Sequence, residues 1–134
     1  RFQQTLDIDV HRVFAGGVMR AMDDAAMTII RRPYLEPGEA RRPTLSWVRQ
    51  IPIGGEPRAV AEQTARLAAW MASTPVPKLF IRAEPGQIVF GRDFDIIASW
   101  PNQTVITVRG LHHPQEDSPD DIGHGLADWY RKLG

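Results

Sequence analysis

Two histidines stand side by side in "TVITVRGLHHPQEDSPDDIG", residues 104–123, in a chain that has four histidines in all. An imidazole titrates near neutral pH and can take or give a proton, which makes His112 a candidate general base. It follows an apolar, β-rich run, Val105-Ile106-Thr107-Val108, and a Gly110 that ends the run. In open α/β sheets chemistry collects outside the carboxyl ends of the strands, and His112 would stand there. The bland alternative is a solvated loop histidine hydrogen-bonded to Glu116 or Asp117. A metal-binding His-His pair is disfavoured, because adjacent side chains diverge and no third ligand recurs at a useful spacing. Glu84 is the one carboxylate in a comparable position, at the exit of an earlier apolar run. It could orient His112 as the acid of a triad does, or be a surface residue before the Pro85-Gly86 turn, and the second reading is preferred.

The elements that must position these groups follow from the pattern. "VPKLFIRAE" holds three consecutive apolar residues, Leu79, Phe80 and Ile81, with no alternation. That marks a strand buried on both faces, as in a parallel sheet. A helix is expected from about Arg92 to Trp100, ended by Pro101-Asn102, and a second strand from Gln103 to Val108. Strand, crossover helix and parallel strand make one βαβ unit. "PQED" reads as a short acidic loop. Ser118 is then expected to cap the last helix, with Pro119 at its first position and Ile122, Leu126, Trp129 and Leu133 as its buried stripe. Upstream, residues 1–75 carry helical patterns broken by Pro and Gly. Asp23 caps a short helix to about Arg31, a second runs from Pro43 to Gln50, and a longer one runs from Pro57 to about Ser73.

Two strands cannot make a stable, doubly covered sheet, since each needs neighbours on both edges and helices on both faces. The pattern offers no third strand. The expectation is therefore that residues 76–134 are the tail of a larger sheet whose other strands lie upstream of Arg1 or on another chain.

The bulk numbers fit one soluble domain: 134 residues, 43% apolar and 24% charged. Lysine plus arginine equals aspartate plus glutamate at 16 each, a balance with no electrostatic footprint for nucleic acid or an anionic membrane. No run approaches the roughly 18 apolar residues of a membrane span. There is no cysteine, hence no disulfide or thiolate metal site, and the expected location is cytoplasmic. The chain opens on Arg1 rather than Met, as an excised or processed piece would.

The strings "GEARRPTLSWVRQIPIGGEP", "PVPKLFIRAEPG" and "WPNQTVITVRGLHHPQEDSPDDIG" resemble the haloalkane dehalogenases of the α/β-hydrolase superfamily. The likeness covers nearly the whole chain, most strongly from about Met27 onward, but only the later half of such an enzyme. It implies the C-terminal portion of an α/β-hydrolase fold, the last two parallel strands with flanking helices, in residues 76–134. A mostly helical cap in residues 1–75 would precede it. It implies no cofactor and no metal. The partners would be a small apolar halogenated substrate, water, halide and the N-terminal half of the fold. His112 matches the histidine of the family's G-x-H-x-x-Q-E-D segment. The resemblance implies that an aspartate elsewhere displaces halide to form an alkyl-enzyme ester, and that His112 takes a proton from the water that hydrolyses it. Nucleophile, triad acid and halide-holding residues would all lie in the earlier half.

Gly86 falls where many α/β-hydrolases carry the acid after the penultimate strand. Ile88 matches an apolar position beside the substrate pocket, and Gly17 a tunnel-mouth position that is larger in relatives, where a glycine would widen the entrance. Phe14 and Val18 would line the same passage or simply pack within the cap. Departures from the pattern are His113, usually aromatic, Pro114, usually aliphatic, and Asp9, often an aromatic that closes the pocket. His113 is expected to replace that aromatic in packing. Two other readings remain: a non-catalytic fragment that complements a partner chain, and another chemistry on the same fold, such as that of epoxide hydrolases or of the coelenterazine-type luciferases. Epoxide hydrolases need a pair of cap tyrosines, and Tyr34 and Tyr130 are the only tyrosines here.

Overall fold

The computed structural model of the chain describes residues 10–134, so Asp9 lies outside the described residues. The described residues divide into two compact units, one formed by residues 10–15 and 22–68, the other by Gly16–Ala21 and Ala69–Gly134.

The first unit is helical. Its helices are α1 (Val10–Ala15), α2 (Asp24–Arg31), α3 (Arg42–Arg49) and most of α4 (Arg58–Ser73), with two single 3-10 turns, Arg32–Tyr34 and Glu39–Arg41. Asp23 caps α2 as its sequence position suggests: Ala26 N–H donates to Asp23 Oδ1 at 2.7 Å. Such a cap contributes about 1 kcal/mol to the helix. Arg32 keeps a helical backbone, and α2 passes there into the 3-10 turn Arg32–Tyr34, where Pro33 has no N–H to extend the α-helical ladder. Met27 and Leu45 are buried, whereas Ile29, Trp47 and Leu67 are exposed.

The second unit is built on two parallel strands, β1 (Lys78–Pro85) and β2 (Gln103–Gly110), in register from Lys78 opposite Gln103 to Pro85 opposite Gly110. β1 runs four residues past its apolar run and β2 two past Val108, because the pairing continues to Gly86 N–H, which donates to Gly110 O at 3.0 Å. Among the described residues each strand has a hydrogen-bonded neighbour on one side only. The crossover is α5 (Arg92–Ala98), and α7 (Pro119–Arg131) follows β2 after a single turn, α6 (Pro114–Asp117).

Alternation along β1 decides what each face meets. Phe80 and Arg82 face α5, where the Phe94 ring lies 6.0 Å from that of Phe80 and 4.3 Å from the Arg82 guanidinium carbon. On the opposite face Ile106 meets α7 at Gly125, where a Cβ would stand 2.3 Å from Ile106 Cδ1 and would push that methyl aside. Each face of the sheet thus meets a helix, but Leu79, Phe80 and Ile81 are only half-buried, short of the burial on both faces that their run suggests.

Three expectations change. The acidic loop is the one-turn helix α6, since Pro114 supplies a helical φ at its first position. Ser118 does not cap α7 with its side chain: its hydroxyl donates to Arg109 O at 2.7 Å, because α6 turns that hydroxyl back onto β2. The expected stripe is only partly covered: Leu126 is exposed on α7, and Leu133 is exposed beyond the end of that helix.

Candidate functional site

The carboxyl end of β2 is a tight bend. Gly110 is buried, and a Cβ there would stand 2.8 Å from Pro114 Cα, so the chain can reverse here only without a side chain. Leu111, His112 and His113 form the turn, and α6 begins at once. The bend is pinned from outside: Gly17 O accepts from both His112 N–H and His113 N–H at 2.9 Å each. Gly17 is buried, and a Cβ on it would lie 2.8 Å from His113 Cδ2. The close approach of the two histidines is a physical reason for glycine at this position.

The two imidazoles differ. His112 is exposed and lines a cavity of about 150 Å³ at the strand ends, together with Phe80, Ile81, Ala83, Ile88 and Leu111. His113 is half-buried and meets the His112 ring edge-on, with centroids 4.6 Å apart and planes at 80°. Burial holds the His113 imidazole below the ordinary histidine range, with the neighbouring His112 adding to the effect and Glu116 and Asp117 opposing it. His113 therefore favours the neutral form beside a cavity whose walls are mostly apolar.

The structure brings His112 and Ile88 to one cavity and sets Gly17 behind the bend. Val18 is buried next to Gly17 and is not in the cavity wall. Phe14 is on α1, in the first unit, and half-buried. Glu84 is exposed and ion-paired to Arg82 at 3.5 Å, on the face of β1 that meets α5. Gly86 has φ +68°, and a Cβ there would sit 2.7 Å from Ala83 O, so this backbone excludes an acidic side chain at that place. Tyr34 closes a 3-10 turn of the first unit, and Tyr130 is exposed on α7. Among the described residues no group of three or more His, Asp or Glu is placed to hold a metal ion. No helix among them is long and apolar enough to cross a membrane.

Sequence reasoning missed Asp117, Glu116 and Arg20. The two acids were weighed as partners of the His112 ring. In the structure both turn instead to residues 16–21: Asp117 Oδ1 accepts from Met19 N–H and Arg20 N–H, and Glu116 pairs with the Arg20 side chain. No local spacing signals a contact between segments so far apart in the chain.

No family model matches the chain. It is 50% identical over 127 residues to a haloalkane dehalogenase of Sphingobium indicum, covering 95% of this chain and 43% of that protein. The chain is similar to haloalkane dehalogenases. A haloalkane dehalogenase of Mycolicibacterium smegmatis is 48% identical over 118 residues, 87% of this chain and 38% of that one. The crystal structure of the haloalkane dehalogenase DbeA from Bradyrhizobium elkani superposes with a TM-score of 0.86 at 32% identity, over 92% of this chain and 43% of that one. Coelenterazine h 2-monooxygenase of Renilla reniformis is 38% identical over 130 residues, 92% of this chain and 40% of its own length. The chain thus spans less than half the length of the dehalogenases it matches, and its two strands with their helices correspond to the C-terminal part of their α/β-hydrolase fold.

Proposed function

We propose that this chain supplies the general base and the helical cap, residues 1–75, of a hydrolytic haloalkane dehalogenase. Its nucleophile, triad acid and halide-binding groups would come from the N-terminal half of the same fold. The observation that carries the reading is His112 at the carboxyl end of β2 with its ring in the wall of an apolar cavity. A carboxylate entering that cavity attacks the carbon of a small haloalkane, the carbon–halogen bond breaks and halide leaves with the bonding pair. The product is an alkyl ester of the enzyme. His112 then takes a proton from water, the hydroxide adds to the ester carbonyl, and the alcohol departs as the carboxylate is restored. Ile88 would border the substrate, and Gly17 and Val18 the approach to it. The bare edge of the two-stranded sheet supports a missing set of strands, since an unpaired edge invites pairing.

The test is His112→Ala in the completed enzyme, with the chain joined to or co-produced with the nucleophile-bearing half. Halide should appear in a single burst, intact mass should show the trapped ester, and turnover should fall by about 10²–10⁴. Turnover at the parent rate would remove His112 from the mechanism. The similarity to the Renilla monooxygenase favours one other reading, oxygenation of a coelenterazine-like substrate on this scaffold. Light emission with coelenterazine and no halide release from haloalkanes would establish it instead.

A further inference from the structure

The acidic pair behind the histidines has no part in the chemistry above, yet it is tied to the histidine bend through a third segment. Asp117 Oδ1 accepts from Met19 N–H at 2.8 Å and Arg20 N–H at 3.0 Å. The Arg20 guanidinium donates to Glu116 O at 2.7 Å and to Glu116 Oε2 at 2.8 Å. Gln87 Nε2 donates to Gly16 O at 2.9 Å. Between these anchors lies Gly17, whose carbonyl accepts both histidine amides. Residues 16–20 therefore form a strap, held at both ends, whose middle fixes the backbone of His112.

We propose that Asp117 is a positioning residue for His112, acting through this strap. The proposal rests on the general-base reading above. Among these anchors Asp117 is the side chain that holds two successive backbone amides of the strap. A carboxylate accepting backbone amides makes charge-assisted bonds, roughly twice as strong as neutral ones. The Arg20–Glu116 pair is partly exposed, with side chains 43% and 31% accessible, and exposed pairs contribute little. Asp117 Oδ2 is buried and has no partner among the described residues, so the hydrogen-bonding of this carboxylate is concentrated in Oδ1. The His112 ring is exposed to the cavity, and its aim depends on where the bend sits. Letting the strap go frees the Gly17 carbonyl, and with it the two histidine amides.

The test compares Asp117→Leu, which keeps the bulk and loses the acceptor, with Asp117→Asn, which keeps an acceptor at the same place. Both are made in the completed enzyme, with the halide burst and the decay of the trapped ester read separately. In Asp117→Leu ester hydrolysis should slow at least about tenfold, toward the roughly hundredfold that a misplacement of about 1 Å can cost, while the burst keeps its rate. Asp117→Asn should recover most of the loss. Hydrolysis at the parent rate in Asp117→Leu, or an equal loss in both variants, overturns the proposal. Should Asp117→Leu fail to fold, amide exchange on the parent decides. The amides of Met19, Arg20, His112 and His113 should be protected together, and exchange at free-loop rates would overturn the strap. Failure of the general-base reading shows separately, as His112→Ala turning over normally, and leaves the exchange result standing.

Discussion

Replacing Gly17 by Ala puts the packing of the histidine bend to a quantitative test. The new Cβ would stand 2.8 Å from His113 Cδ2, 3.1 Å from His112 Cβ and 3.2 Å from His113 Nε2. Carbon atoms pack best at about 3.5–4.0 Å, so the closest contact is short by about 0.7 Å or more. Gly17 is not among the glycines with positive φ, so the penalty is steric and not conformational. Overpacking of this kind costs about 1–3 kcal/mol. Against it stands about 0.4–1 kcal/mol from the narrowed unfolded ensemble of alanine. The expected net destabilisation is about 1–2 kcal/mol. Two of the three contacts are to the His113 ring, so His113→Ala should relieve most of the clash. In that background Gly17→Ala should be neutral or stabilise by up to about 0.5 kcal/mol. The four proteins of the cycle, each as the completed enzyme, are compared by urea unfolding. A coupling of about 1–2 kcal/mol is expected, and additivity within about 0.3–0.5 kcal/mol would mean that the ring is not packed on Gly17.

Two further outcomes follow from the same geometry. Because the folded state holds His113 below the ordinary value of 6.5, the unfolded chain binds its proton first, and stability falls as pH drops from about 6.5 toward the lower folded value. His113→Phe should flatten that part of the pH profile of the urea midpoint, and an unchanged profile would assign it to other groups. Gly125→Ala should cost about 1 kcal/mol or less, because the atom it meets at 2.3 Å is the movable tip of Ile106 and alanine gains up to about 1 kcal/mol of helix propensity. Ile106→Val, which removes that atom, should recover most of the loss in thermal unfolding, and no recovery would place α7 elsewhere on the sheet.

What the sequence discloses depends on how local its cause is. Asp23, three residues from the amide it caps, could be read directly, and so could the strands, whose apolar residues come without interruption. The four residues of α6 make a single turn, too short for any periodicity, so they read as a loop. Ser118 has the residue type and neighbours of a helix cap. Its hydroxyl went to Arg109 O because the intervening turn brings that carbonyl within 2.7 Å, and no spacing rule encodes this. The position of His112 just past β2 was legible because a strand end is a local feature. The strap was not: Asp117 and Met19 are 98 residues apart, and their bond is a product of the fold. Leu126 and Leu133 give the converse lesson. Their spacing states correctly that one side of α7 is apolar, but periodicity does not say what covers it.

That uncovered surface and the unfinished chemistry belong to the same problem. Phe90, Ile96, Leu126 and Leu133 are exposed in the unit that holds the site, and among the described residues its sheet has one bare edge on each strand. Burying a side chain of this size contributes about 1.5–3 kcal/mol, and pairing a strand edge satisfies a row of amides and carbonyls at once. The His112 cavity opens at the ends of the same strands. On the proposed reading, strands added beside β1 would bring their own carboxyl ends to the level of that cavity, since parallel neighbours end together. Completing the sheet and delivering a carboxylate to His112 are then one step. Substitutions that loosen the sheet edge should weaken assembly and turnover in proportion, whereas His112→Ala should leave assembly intact and stop only the hydrolysis of the ester.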